Sequence, residues 1–191
     1  MTDTTSTTWP LATPARRTGR ASRTYRALAA SAAGVAGVIH ALVAPEHFEL
    51  AWYVGGFFVA VAAGQLALAV ALARGAALRT PAVLLAIAAN LAIVATYVTS
   101  RTTGLPFLPV EEHAGGEHLP VAGGVGNGIP VLPGADIEPV GALDFTCLLA
   151  ELVLVGVLVA VLPRMVRGTV TSVMLGLGVV AFVARGTGLL A

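Results

Sequence analysis

Four long apolar runs constrain this 191-residue chain more than any other feature of its sequence. An α-helix rises about 1.5 Å per residue and the hydrocarbon core of a bilayer is about 30 Å thick, so about 20 apolar residues cross it. A shorter, glycine-containing run near the carboxyl terminus allows a fifth crossing. The sequence therefore predicts an all-α integral membrane helical bundle with four to five transmembrane helices. The predicted spans are residues 27–44, 51–73, 81–100, 143–162 and 169–184.

Composition excludes a water-soluble globule, because 57% of the residues are hydrophobic and only 11% are charged, against about 25% charged in an average soluble domain. We expect a disordered cytoplasmic tail over residues 1–25, rich in Ser and Thr, and one transmembrane domain over 26–191. A loop over 101–142, rich in Gly and Pro, interrupts that domain. A net charge of +1 gives no reason to expect a nucleic-acid partner, and the single Cys147 excludes an intrachain disulfide.

The basic residues, all of them arginine, fall mainly on one side of this topology. Positively charged residues concentrate in cytoplasmic segments, so we expect a multi-pass protein of the cell (plasma) membrane with a cytoplasmic amino terminus. The 101–142 loop is then extracytoplasmic, and all acidic residues except Asp3 lie in outer loops or outer halves of spans. Nine of the eleven arginines are on the inner side: Arg16, Arg17, Arg20, Arg23, Arg26, Arg74, Arg79, Arg164 and Arg167.

One carboxylate, that of Glu151, lies inside an otherwise apolar run. It is about 10 Å deeper than Asp144 at the helical rise, and an ionised acid at such a depth costs about 2 to 4 kcal/mol. Glu151 is therefore expected to face other helices, a cavity or a partner, or to be protonated. Spacings of three and seven residues put Asp144, Cys147 and Glu151 on one stripe of the helix.

These residues suggest a proton or cation site in which Glu151 titrates. His40 lies about one and a half turns before Pro45, at a shallow depth comparable with that of Asp144, and the two could pair across helices. The predicted site comprises Glu151, Asp144, His40 and His47, with Arg101 and Glu138 as charge partners.

An alternative interpretation is that the polar groups only satisfy one another between helices, at about 0.6 kcal/mol for each bond. We favour that role for Gln65 and Asn90, and we expect Cys147 to be a small apolar filler.

A second cluster of histidines and carboxylates lies in the predicted outer loop. Imidazole nitrogen and carboxylate oxygen suit Zn, Cu(II) or Fe(II), and a divalent metal is the one cofactor that the sequence suggests. The loop offers no rigid spacing, so a solvated acidic loop is the favoured alternative. A haem site is not expected, because only His40 lies within a span. The candidate metal ligands are Glu112, His113, Glu117 and His118.

Several strings occur together along the chain: HALVAPEHF at 40–48, GGFF at 55–58 with Gln65, Asn90 in the third span, SRTTGLPFLP at 100–109, and EPVGALD at 138–144 followed by Glu151. With these strings the chain resembles a group of small, functionally uncharacterised bacterial polytopic membrane proteins. The resemblance covers residues 27–160 and implies no activity. In that group the GLPF and EPxG strings lie closer together, so the resemblance implies that EEHAGGEH at 111–118 is an insertion. It favours as site residues His40, Glu46, His47, Arg101, Glu138, Asp144 and Glu151.

Three functions remain open from the sequence. The leading one is a small non-enzymatic membrane protein that binds or conducts a cation or proton through an outer-facing polar pocket. The alternative is a non-catalytic structural or assembly subunit, docking to another membrane protein or a second copy through the small residues Gly56, Ala60 and Gly64 of the second span. A metal-dependent membrane oxidoreductase is the third. Besides the lipid bilayer, no partner can be named.

Overall fold

A computed structural model describes residues 15–76, 78–100 and 141–187, and these residues are almost entirely helical. Each of the five helices in this part of the chain contains a stretch long and apolar enough to cross a membrane. The prediction of an all-α helical bundle is therefore confirmed, and it includes the fifth helix. The helices are α1 (Ala15–Leu50), α2 (Trp52–Ala73), α3 (Thr80–Ser100), α4 (Ala142–Val161) and α5 (Arg164–Gly186).

Helix α1 is longer than the predicted span at both ends. It begins at Ala15, so residues 15–25 of the expected disordered tail are helical; residues 1–14 lie outside the described residues. It also continues through Pro45 to Leu50, although proline lacks the N–H that would bond the carbonyl four residues earlier. Neighbouring groups make such a loss tolerable in membrane helices. Consequently His40 lies about 15 Å from the end of its helix rather than close to it.

The first two helices form a closely packed pair. Gly37 of α1 faces Leu66 of α2, and a Cβ at Gly37 would lie 3.1 Å from the Leu66 backbone nitrogen. Such a separation requires a residue without a side chain at that point. By contrast, a Cβ at Gly56 or Gly64 would meet no atom within 4 Å. The small-residue stripe predicted on the second span therefore faces outward, and the close approach uses a glycine of α1.

The remaining helices pack around α4, which lies against α1, α3 and α5. None of the side chains described in α5 is buried. Helix α5 is therefore attached to the edge of a bundle formed by α1 to α4.

Arginines gather at one end of this bundle, which we call the arginine end. Arg26 of α1 lies against Gly75 in the turn after α2, with its Nη1 atom 3.4 Å from the position of a Cβ there. Arg79 precedes α3 in the same connection, and Arg167 belongs to the first turns of α5, just beyond α4. A crevice of about 290 Å³ brings Arg26, Gly75 and Leu162 together, so the start of α1 and the end of α4 are neighbours.

A dense apolar layer occupies the half of the bundle next to the arginine end. All four helices of the bundle contribute to it, and two of its leucines, Leu154 and Leu158, are the largest fully buried side chains among the described residues. We call this set the apolar layer. Its buried members are Ala29, Ala32, Ala33, Leu72, Val83, Ile87, Leu154, Val155, Val157, Leu158 and Leu162.

Candidate functional site

Each helix from α1 to α4 places one polar side chain in the interior. The exposed fractions of His40, Gln65, Asn90 and Glu151 are 6%, 4%, 3% and 2%. Buried polar groups are costly unless they are hydrogen-bonded, and these four meet at one place near the middle of their helices. Together with Cys147 we call them the polar centre.

Gln65 connects the helices within the polar centre. Its Nε2 atom donates to Asn90 Oδ1 and to Glu151 Oε1, both at 3.1 Å. Its Oε1 atom lies 3.0 Å from His40 Nδ1. A carboxamide has two N–H donors on one atom and an acceptor oxygen on the other, so a single side chain of α2 serves α1, α3 and α4.

The orientation of these amides is fixed by backbone atoms. Asn90 Nδ2 donates to the Ala86 carbonyl at 2.8 Å, so Asn90 Oδ1 must face Gln65. Gln65 must then present its nitrogen to Asn90, which leaves its oxygen for His40. The assignment of oxygen and nitrogen in both amides is therefore consistent with the whole network.

The same reasoning fixes one proton on His40. Its Nδ1 atom lies 2.9 Å from the Ala36 carbonyl oxygen and 3.0 Å from Gln65 Oε1. Both neighbours are acceptors, so Nδ1 carries a hydrogen and donates it. The exchangeable position of the ring is therefore Nε2, which faces Glu151 Oε1 at 3.8 Å.

His40 and Glu151 can share one proton without creating net charge. With the proton on Glu151, both side chains are neutral; with the proton on His40 Nε2, they form an ion pair. Removal of that proton leaves one uncompensated negative charge among apolar helices, which is expensive in a membrane interior. The two side chains are therefore neutral overall only when they hold one proton between them.

Cys147 lies at the edge of the same centre. Its sulfur is 3.6 Å from His40 Nδ1 and 4.0 Å from Nε2, and the residue packs with Ala36, Ile39 and Ala150 in a second apolar cluster. The interpretation of Cys147 as apolar filler omitted this contact. The spacing of four residues between Cys147 and Glu151, which puts both on one helical face, is the sequence signal that points to it.

A second layer lies two helical turns beyond the polar centre, on the side opposite the arginine end. Each of the four helices has a polar or aromatic residue seven positions from its member of the polar centre, a distance of about 10 Å along the axis. The helical repeat places the two residues of each pair on the same face. We call these residues the second layer: His47, Phe58, Tyr97 and Asp144.

Aromatic rings connect the two layers. The His47 ring stacks on Phe58 at a centroid distance of 3.7 Å, and the Phe58 ring lies 5.6 Å from that of His40. His47 Nδ1 donates to the Val43 carbonyl at 2.7 Å, so its Nε2 atom is the exchangeable position. His47, which the sequence assigns to the site, therefore lies one layer away from Glu151.

Asp144 accepts a hydrogen bond from the Gly141 backbone N–H at 3.0 Å and caps α4. The expected depth match between His40 and Asp144 is wrong, because α1 does not end at Pro45 and His40 is consequently deeper. His40 instead contacts Gln65, Cys147 and Glu151.

Several predicted site residues cannot be placed in this arrangement. The charge partners Arg101 and Glu138 lie outside the described residues, and so do the candidate loop ligands. Glu46 is exposed on α1. The loop metal site stays a prediction, and its proposed ligands are Glu112, His113, Glu117 and His118.

Comparison with known proteins finds no matching protein-family model, no matching curated protein and no matching solved structure. Any assignment of function therefore depends on the chemistry of the polar centre and the second layer.

Proposed function

We propose that this is a non-enzymatic, multi-pass membrane protein whose polar centre binds a proton between His40 and Glu151. One observation carries the proposal: the Nδ1 hydrogen of His40 is committed to acceptors, which leaves Nε2 directed at Glu151 Oε1 over 3.8 Å. A modest rearrangement of either side chain brings these atoms to hydrogen-bonding distance, and the proton can then reside on either.

The choice of residue types supports proton binding over a purely structural role. Amides such as Gln65 and Asn90 can hold helices together in one protonation state, at about 0.6 kcal/mol for each bond. An acid and an imidazole would hold the helices together no better than two amides. The acid also costs free energy when it is ionised inside a membrane. Ionisable residues within membrane helices therefore favour a functional role for the pair.

The layers on either side of the centre favour exchange from one face of the membrane. Toward the arginine end, the apolar layer contains no group that can carry a proton among its buried members. In the other direction, the second layer offers His47, Tyr97 and Asp144 on the same helical faces as the centre. By the positive-inside rule the arginine end is cytoplasmic, so the proton would exchange with the extracytoplasmic side of the plasma membrane.

The proton itself can be observed by infrared difference spectroscopy on the protein in lipid nanodiscs. Between acidic and alkaline buffer we expect a carboxylic-acid C=O difference band from Glu151 that is missing in Glu151→Gln while the protein stays assembled, whereas the other acids of the chain contribute equally to both spectra. Glu46→Gln is the matched control, because that acid is exposed on α1. A Glu151→Gln spectrum identical to that of wild type would contradict the proposal, whatever Glu46→Gln shows.

A second candidate function is that of an assembly subunit, and the outward-facing small residues of α2 favour it. A Cβ at Gly64 would meet nothing within 4 Å, so this surface is open to a membrane-protein partner or a second copy. Gly64→Leu should then shift the native electrophoretic mobility of a complex extracted in mild detergent. Gly156→Leu on α4, where a Cβ would also meet no atom, is the control; equal migration of both variants and wild type would exclude this role for the stripe.

A further inference from the structure

We propose that the polar centre also binds a divalent transition metal of the zinc class, through His40 Nε2, Cys147 Sγ and a carboxylate oxygen of Glu151. This inference deepens the proposed function, since it names a second occupant of the proton site. One ligand atom from each residue can be chosen so that all three lie within 4.8 Å of one another.

The distances are close to those of a tetrahedral site. His40 Nε2 is 3.8 Å from Glu151 Oε1 and 4.0 Å from Cys147 Sγ. Zinc bound at about 2.0 to 2.1 Å from nitrogen, 2.3 Å from sulfur and 2.0 to 2.2 Å from oxygen places such ligand atoms roughly 3.3 to 3.6 Å apart. All three separations are at most 4.8 Å, so the three side chains would have to draw together when the ion binds.

The surroundings of the ligands are already those of a metal site. A metal-bound imidazole usually donates its other ring N–H to a backbone carbonyl or a carboxylate, which fixes the tautomer and the ring orientation. His40 does this through Nδ1 and the Ala36 carbonyl at 2.9 Å. Glu151 is held in the same way, because its Oε1 atom accepts a hydrogen bond from Gln65.

Charge and ligand type select the class of ion. A divalent cation with one thiolate, one carboxylate and one neutral imidazole has no net charge, as a low-dielectric interior requires. Sulfur and nitrogen ligands suit zinc and its neighbours, whereas magnesium and calcium need six or more oxygen ligands. Three protein ligands leave one tetrahedral position for a water molecule.

Binding of the metal must displace protons. The Cys147 thiol loses its hydrogen, and the proton shared by His40 and Glu151 also leaves, so two protons depart as one divalent ion is bound. Metal and protons therefore compete for the same atoms. The polar centre becomes a site of metal–proton exchange within the membrane.

Cobalt(II) titration of the whole protein in nanodiscs tests the inference, because a cobalt–thiolate bond gives a characteristic ultraviolet charge-transfer band. Cys147 is the only cysteine of the chain, so such a band reports this site and excludes the loop histidines. We expect the band in wild type, its removal by zinc, and its loss in Cys147→Ser. In Glu151→Gln the cobalt affinity should fall by more than about tenfold, because loss of a residue that only hydrogen-bonds to a metal ligand already costs about 10- to 100-fold.

The two proposals fail separately. If wild-type protein gives no thiolate band, or if Glu151→Gln binds cobalt as tightly as wild type, the metal inference is wrong. The infrared band of Glu151 then decides proton binding by itself. Cys147→Ser should retain that infrared band while losing the cobalt band, whereas Glu151→Gln should lose the infrared band and weaken the cobalt band; Glu46→Gln should retain both.

Discussion

The apolar layer and the polar centre are built by the same four helices but are held together by different forces. In the apolar layer alkyl groups contact one another, and such contacts have little hydrophobic driving force where lipid is equally apolar. In the polar centre each side chain is oriented by a directional bond to a named atom. Close packing can therefore keep the helices together, whereas the polar centre fixes which faces meet and supplies the ionisable groups.

Truncation in the apolar layer should cause the largest loss of stability. Leu158 is 2% exposed, and Leu158→Ala should lower the free energy of unfolding by about 2 to 4 kcal/mol, as buried leucine truncations do. Unfolding with SDS in mixed micelles measures this loss. The Glu151 infrared band should persist in the folded variant; if it vanishes, the two regions are not separable. Leu158→Met, which conserves volume, is the control and should cost less than about 1.5 kcal/mol.

Removal of the connecting amide should cost less but should damage the site. Gln65→Leu leaves His40 Nδ1 with the Ala36 carbonyl but removes the partner of Asn90 Oδ1 and Glu151 Oε1. We expect a loss of about 1 to 3 kcal/mol, the typical penalty for a buried polar group left unsatisfied, together with an altered Glu151 infrared band. An unchanged band would show that Gln65 does not orient the carboxyl group. Leu68→Met, a partly buried position one turn away on α2, is a conservative control.

Glu151→Gln should have the smallest effect on stability. The amide keeps an oxygen at the position that accepts from Gln65 Nε2, so we expect a change of less than about 1 kcal/mol in the free energy of unfolding. The same variant should lose proton binding. A loss greater than that of Gln65→Leu would instead identify Glu151 as a structural member of the bundle.

Much of the fold could be read from the sequence, because apolar runs of membrane length have few alternative structures. The burial of Glu151 among other helices could also be predicted, since a carboxylate inside such a run is costly and has to be accommodated. The depth of His40 could not be predicted. A proline normally predicts the end of a helix, and only the three-dimensional structure shows that α1 continues beyond Pro45 and brings His40 level with Glu151.

The way in which the polar centre is assembled could be predicted only in part. The sequence assigns Gln65 and Asn90 to interhelical bonds, and the two side chains are hydrogen-bonded to each other. That these bonds include Glu151 and His40 depends on the rotation of each helix about its axis, which spacing along one helix does not determine. The contact of Cys147 with His40 joins residues 107 positions apart. It likewise depends on how each helix is rotated about its axis.

The bonds of Gln65 also make the bundle mechanically sensitive to what occupies its interior. Both N–H groups and the oxygen of one carboxamide are engaged, by α3, α4 and α1 respectively. An occupant that drew Glu151 away would have to break the bond from Gln65 to α4 or carry the carboxamide with it, and the same carboxamide is bonded to α1 and α3. A change at Glu151 would therefore reach all four helices of the bundle through one side chain.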